Sequence, residues 1–330
     1  MEPFRSLVPF VLGGALAAQI LPPPPAPDAP ISEYVRHVFE DRDGHLWLGT
    51  NGEGVVLWDG KTLSWLGPGT ALDRCAIRGI VQDGDGAMWF ATERGVVRWH
   101  SGAATTYTTA NGLAADDCWS LFRDRDGTIW VGTMRGVCRL VGKRWEPFPL
   151  PAAVEPVREA RFAREVVWDF AQAADGSMWF ATDGDGLRRW DGKVFTAYTQ
   201  KDGIGGDCVR TCCVDRNGRV WAGSDGGGLA CFDGKAWRRW TDKDGLGNDR
   251  IFVIVEASDG ALWISTLGAG LARWDGTKFT QLRETDGRTR NHVQSILQAK
   301  DGTMWFGFSG GLYRLAGERL VHVTKDGPWR

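Results

Sequence analysis

The sequence predicts an all-β chain folded as a seven-bladed β-propeller with four antiparallel strands per blade. Three observations carry this reading. One phrase centred on tryptophan occurs seven times, at Trp47, Trp89, Trp130, Trp179, Trp221, Trp263 and Trp305, spaced by 42, 41, 49, 42, 42 and 42 residues. Glycine-rich turn signals punctuate every copy, as the 45 Gly beside only 14 Pro and no G-X-Y period suggest. No copy shows helical periodicity. A repeat near 42 residues with turns at short intervals is a four-stranded sheet, and seven such sheets set radially shield one another's edges.

The chain divides into three parts. Residues 1–19 carry one basic residue, Arg5, then an apolar run from Leu7 to Ala18 that ends in small residues. That run is too short to span a bilayer and reads as a secretory signal peptide. Residues 20–30 contain Pro22-Pro23-Pro24-Pro25, a stiff polyproline-II linker. The propeller is expected over 31–330, with no membrane span in the mature chain. The expected location is periplasmic or secreted.

Within each repeat the elements follow in one order. Strand A is Val35 to Glu40 in the first copy and Val293 to Gln298 in the last. An Asp-x-Asp-Gly or Asp-Gly turn leads into strand B, which holds the marker Trp. A glycine-rich turn such as Asp183-Gly184-Asp185-Gly186 follows, then strand C (Leu187-Arg188-Arg189-Trp190) and the Asp191-Gly192-Lys193 turn into strand D. Asp-Gly pairs supply the positive φ that tight hairpins need. Strand D of the last copy is expected near Leu320 to Thr324, which allows closure by packing of the first blade on the last and leaves open whether a strand is shared.

The phrase Asp-Gly-x-x-Trp-x-Ala/Gly-Thr, then Gly-Leu/Val-x-Arg-Trp-Asp-Gly-Lys-x-Phe, then Lys-Asp-Gly-Leu/Ile resembles the two-component regulator propeller repeat. Residues Asp175 to Ile204 and Asp215 to Leu246 carry it most fully. This resemblance implies a sensor propeller of the kind found outside the membrane in hybrid histidine kinases or diguanylate cyclases. The second propeller, β-sandwich, membrane helix and kinase of such proteins have no counterpart here, so a stand-alone module is expected. Trp-Asp pairs at Trp58, Trp190 and Trp274 are shared with WD repeats, but the upstream Gly-His of that family is missing. Streptogramin-lyase propellers are also similar, through their Asp-Gly-x-x-Trp-Phe-Thr signature.

In a propeller strand A lines the central channel, and the D-to-A and B-to-C turns share one face. Counted back from each marker Trp, the second strand-A position reads Arg36, Arg78, Trp119, Trp168, Arg210, Phe252 and Gln294. Position one (Val35, Ile77, Cys118, Val167, Val209, Ile251, Val293) and position four (Val38, Ile80, Leu121, Phe170, Cys212, Ile254, Ile296) are packing rings. Planar donors and aromatic faces at position two suit a carbohydrate or another anionic or aromatic small molecule. The bland alternative is a ring that fills a solvated funnel. The 49-residue spacing places an insertion at 149–164 on the same face, where Arg158, Arg161 and Arg164 would add positive charge.

Chemistry beyond binding has little support in the sequence. His37, at position three of the first strand A, and His292, just before the last one, would approach one another on ring closure and join the candidate ligand site. Asp169 and Glu165 point to the same region by register. A lyase- or hydrolase-like enzyme centred on the channel is the alternative function. No nucleophile elbow or metal-ligand spacing accompanies these residues, so no catalytic residue, metal or cofactor is expected. Glycine runs such as Gly226-Gly227-Gly228 sit in hairpins and say nothing of nucleotides. Asp-x-Asp-Gly lacks the downstream Glu of a calcium loop. The 39 Lys and Arg against 41 Asp and Glu leave a net charge of -2, which argues against nucleic acid as a partner. The expected partner is a small-molecule or glycan ligand, or a membrane sensor protein. Seven Cys include pairs two strands apart (Cys118 with Cys138, Cys212 with Cys231), a separation of about 9.5 Å that no disulfide bridges.

Overall fold

Short apolar segments between frequent turns give each repeat four strands paired strictly in sequence order, with short 3-10 turns at Thr109–Asn111, Gln200–Asp202 and Asp242–Asp244 in the loops between blades. The computed structural model describes residues 30–67, 69–151, 162–163, 165–282 and 292–329. The signal-peptide and linker assignments, and most of the 149–164 insertion with Arg158, Arg161 and Arg164, lie outside the described residues. Seven sheets form, each of four consecutive antiparallel strands. Blade 1 comprises Val35–Glu40, Leu46–Thr50, Val55–Trp58 and Leu63–Trp65, and blade 7 comprises Val293–Gln298, Met304–Phe308, Gly311–Ala316 and Arg319–Val323. We call the four strands of each blade A to D.

Strand B is the frame of every blade. All five of its residues are buried in all seven copies. The repeated Asp of the A-to-B turn explains how the marker Trp is held there. Asp41, Asp83, Asp124 and Asp215 each accept a hydrogen bond from the indole Nε1 six residues on, at 2.9, 2.8, 2.8 and 2.8 Å. The other carboxylate oxygen accepts turn N–H groups, as Asp41 does from Asp43 and His45. The turn chemistry and the burial of a polar indole are therefore one device. Blades 4, 6 and 7 carry Ala173, Ala257 and Ala299 in that place.

The small residue two after the Trp is set by the next blade. A Cβ on Gly132 would lie 2.3 Å from the Val167 carbonyl oxygen and 2.4 Å from Ser120 Oγ, so strand A of blade 4 leaves room for glycine alone. Each of the seven core clusters accordingly joins neighbouring blades, as Trp221, Leu229 and Trp240 of blade 5 pack with Ile251, Ile264 and Trp274 of blade 6. Polar latches repeat on the A-to-B turns. Backbone N–H groups of Arg42, Arg125, Arg216, Ser258 and Lys300 donate to Gln82, Gln172, Glu256, Gln298 and Glu40 at the end of the neighbouring strand A, at 2.6–3.0 Å.

The last of these latches crosses from blade 7 to blade 1. Among the described residues the two blades share no sheet, a point the sequence leaves open, and an isolated antiparallel bridge joins Pro30 to Thr324. Ile31, Val35, Leu48 and Val56 pack with Trp305, Leu312 and Val323. Trp329 then reaches over the seam to stack on Trp58, with centroids 4.3 Å apart and planes 14° from parallel.

Candidate functional site

The B-to-C turn of one blade is hydrogen-bonded to the loop that enters the next. Gly52 donates to the Cys75 carbonyl at 3.1 Å, Gly184 to Asp207 at 3.0 Å and Gly226 to Asp249 at 3.1 Å. These loops therefore share a face, and strand A starts from it. The Lys-Asp-Gly-Leu/Ile phrase shapes the same loops: Asp202 accepts from Thr199 N–H at 2.7 Å, Gly203 takes φ 103°, and Ile204 is buried.

At this face strand A is irregular in a repeated way. Pairing with strand B runs Val35 to Thr50 and then His37 to Gly49, so Arg36 is passed over. Trp119, Trp168, Arg210, Phe252 and Gln294 are passed over by the same one-residue bulge in blades 3 to 7. In blade 2 the regular strand, Gly79–Gln82, begins just after Arg78. A bulge turns a side chain out of the alternating pleat. All seven of these residues line one cavity of about 590 Å³, together with Tyr34, Phe162, Arg250, Leu267, His292 and Ser309.

The lining is a continuous belt of cations and rings. The Arg78 guanidinium lies 3.8 Å over the Trp119 ring, and Trp119 meets Trp168 edge to face at 4.8 Å. Arg210 covers Trp168 at 4.1 Å and approaches Phe252 at 5.7 Å, and Phe252 meets His292 edge to face at 5.8 Å. Phe162 sits 5.6 Å from both Trp119 and Trp168. Arg78 is paired with Asp117 and also donates to the Cys118 carbonyl. Arg210 and Arg250 share Asp225, at 3.2 and 2.6 Å. Among the described residues the buried indole nitrogens of Trp119 and Trp168 have no hydrogen-bond partner.

Arg36 is different. Among the described residues no carboxylate lies within ion-pair distance of it, and its nearest aromatic is Tyr34, at 5.4 Å. Burial pulls its pKa below the ordinary 12.5, and the Arg78 charge adds to this while Tyr34 and Glu93 oppose it. The neighbouring Gln294 amide also makes no hydrogen bond among the described residues.

The two histidines of the sequence reading separate: His292 lines the cavity, whereas His37 lies one residue further along strand A and is not among the lining residues. Burial lowers the His37 pKa to about 4. Asp169, at the same level in blade 4, accepts from Thr211 Oγ1 at 2.8 Å and Cys212 N–H at 3.1 Å, which ties blade 4 to blade 5. Burial raises its pKa to about 6 against these hydrogen bonds. Glu165 is exposed and also outside the cavity lining. The described lining contains no carboxylate.

All seven cysteines are free. Asp41, Asp43 and His45 bring ligating atoms within 4.8 Å of one another, but Asp41 is engaged by the His45 ring at 3.0 Å and by Trp47. Tyr34, Arg250, Leu267 and Ser309 escaped the sequence reading because they stand in the loops flanking strands A and B. Their common signal is position: each lies within two residues of a strand end on the mouth face.

With a propeller and a ring-lined mouth established, its relatives can be placed. Residues 30–52, 112–135, 245–268 and 287–310 match the model of the two-component regulator propeller. Blades 1, 3, 6 and 7 thus carry segments that match the two-component regulator repeat. The extracellular domain of a putative hybrid two component system from B. thetaiotaomicron superposes with a TM-score of 0.70 at 20% identity, over 87% of this chain and 39% of that one. The present chain thus spans well under half of that domain. Virginiamycin B lyase from Staphylococcus aureus superposes with a TM-score of 0.67 at 13% identity, over 85% of this chain and 93% of that one. At these identities the likeness is one of fold. No curated protein matches the chain by sequence. Among the described residues no helix is long and apolar enough to cross a membrane.

Proposed function

We propose that the chain is a non-catalytic, periplasmic or secreted binding module of the two-component sensor type, which captures a small molecule or glycan at the channel mouth. The observation that supports it is the ring of second strand-A residues. Each blade contributes one side chain, six of them set in a bulge, and all seven line a single cavity. A purely structural ring has no need to mix Arg, Trp, Phe and Gln at one position. The volume of about 590 Å³ falls within the ordinary range for small-molecule sites. The similar domain from B. thetaiotaomicron is extracellular, which supports the location. An associated membrane sensor protein would carry the output.

A thermal-shift screen with mono- and disaccharides, sugar acids and aromatic acids tests the reading. Compounds that raise the melting temperature of the native chain are expected to lose that effect in Trp168→Ala. Equal shifts in both chains would place binding elsewhere and refute the proposal.

A further inference from the structure

We infer that the mouth takes a ring-bearing acid with its single anionic group anchored at the seam of blades 7 and 1 by Arg36 and Gln294, and its ring against Trp119, Trp168 and Phe162. This inference rests on the mouth being a ligand site and adds the ligand's chemistry and orientation.

Charge decides the first part. Four guanidiniums line the cavity, Arg36, Arg78, Arg210 and Arg250, while the carboxylates paired with them are two, Asp117 and Asp225. The described mouth therefore carries an excess of two positive charges in a chain whose net charge is -2. A half-buried cation without a counter-ion is costly, and an anionic ligand removes that cost.

Geometry decides the second part. Three of the four guanidiniums are already committed: Arg78 to Asp117 and the Trp119 face, Arg210 to Asp225 and the Trp168 face, Arg250 to Asp225. Arg36 alone offers its donors without displacing a carboxylate. Strand A of blade 7 packs directly on strand A of blade 1, and the Ser295 hydroxyl accepts from Val38 N–H at 3.0 Å. This pairing makes Gln294 the neighbour of Arg36 in the ring. A planar guanidinium and an amide N–H₂ side by side match the two oxygens of a carboxylate. The aromatic wall lies on blades 3 and 4, two and three blades away, so a ligand with a ring at one end and an acid at the other addresses both.

The probes are 4-fluorobenzoate and its uncharged counterpart 4-fluorobenzamide, titrated against the full chain and followed by fluorine NMR. The benzoate is expected to bind at least about tenfold more tightly than the benzamide, as loss of a charge-assisted contact predicts. Arg36→Gln should weaken the benzoate by about tenfold and leave the benzamide unchanged, and Gln294→Leu should weaken it by a smaller factor. Melting curves of both variants verify that the fold is kept. Equal binding of the two probes, or full benzoate affinity in Arg36→Gln, overturns the anionic anchor. In that case a loss of binding in Trp168→Ala still leaves the mouth as the ligand site. If neither probe responds to Arg36→Gln or to Trp168→Ala, both the anchor and the mouth reading fail.

Discussion

Strand B and the start of strand A teach opposite lessons about the same seven repeats. Strand B is buried along its whole length in every blade, and its second residue is Trp in all seven copies. Four of its tryptophans are clamped by an Asp six residues earlier. The second position of strand A is free of that constraint because the bulge removes it from the ladder. There the chain places Arg, Trp, Phe and Gln in turn. The frame repeats because packing between blades demands it, and the mouth differs because packing does not.

The contrast breaks most severely at the blade interface. Gly132→Val forces a side chain into the Val167 carbonyl and should cost about 3 kcal/mol or more, read by urea unfolding. A cost below about 1 kcal/mol would show that neighbouring blades yield easily. Trp329→Ala removes the stack on Trp58 and the contact with Trp305, and should cost about 2 kcal/mol with earlier unfolding of the seam. Trp130→Phe keeps the ring but deprives Asp124 of its indole donor, and should cost about 1.5 kcal/mol.

A subtler difference concerns pH. The folded pKa of His37, about 4, lies below its ordinary 6.5, so between those values the unfolded chain binds the extra proton and stability is lost as pH falls. Asp169 works in the reverse sense. Its folded pKa, about 6, exceeds the ordinary 3.8, so the folded state holds the proton and stability is lost as pH rises through that window. Calorimetry should show that His37→Gln loses less stability than the native chain between pH 7 and pH 4.5 (values of roughly the two ends of the histidine window). Asp169→Asn should gain on the native chain as pH rises across the same interval. Parallel curves for native and variant would remove either group from the pH response. The smallest stability effect belongs to the mouth and is a gain: Arg36→Gln removes the cation that lacks a carboxylate partner among the described residues and should raise the unfolding free energy by about 0.5 kcal/mol.

Much of this was readable in the residues because repetition amplifies weak signals. Counting from seven tryptophans located the strands, and the same register picked out the seven second strand-A residues that line the cavity. The bulge itself was not visible, since nothing in Val35-Arg36-His37 announces a skipped pair. Nor were the partners of the ring cations. Asp117 closes on Arg78 from the next blade, and Arg250 reaches back to Asp225, contacts that belong to the ring's curvature and not to any one repeat. The seam was only partly legible: the end of strand D allowed closure by packing without deciding whether a strand is shared, and the Trp329 stack depends on a tail outside the repeat.

The most direct test is to crystallise the chain with 4-iodobenzoate and locate iodine by its anomalous scattering. Binding at the mouth predicts an iodine between Trp119, Trp168 and Phe162 with the carboxylate turned towards Arg36. Iodine found only on the outer faces of the blades, with the ring of seven second strand-A residues unvisited, would contradict it.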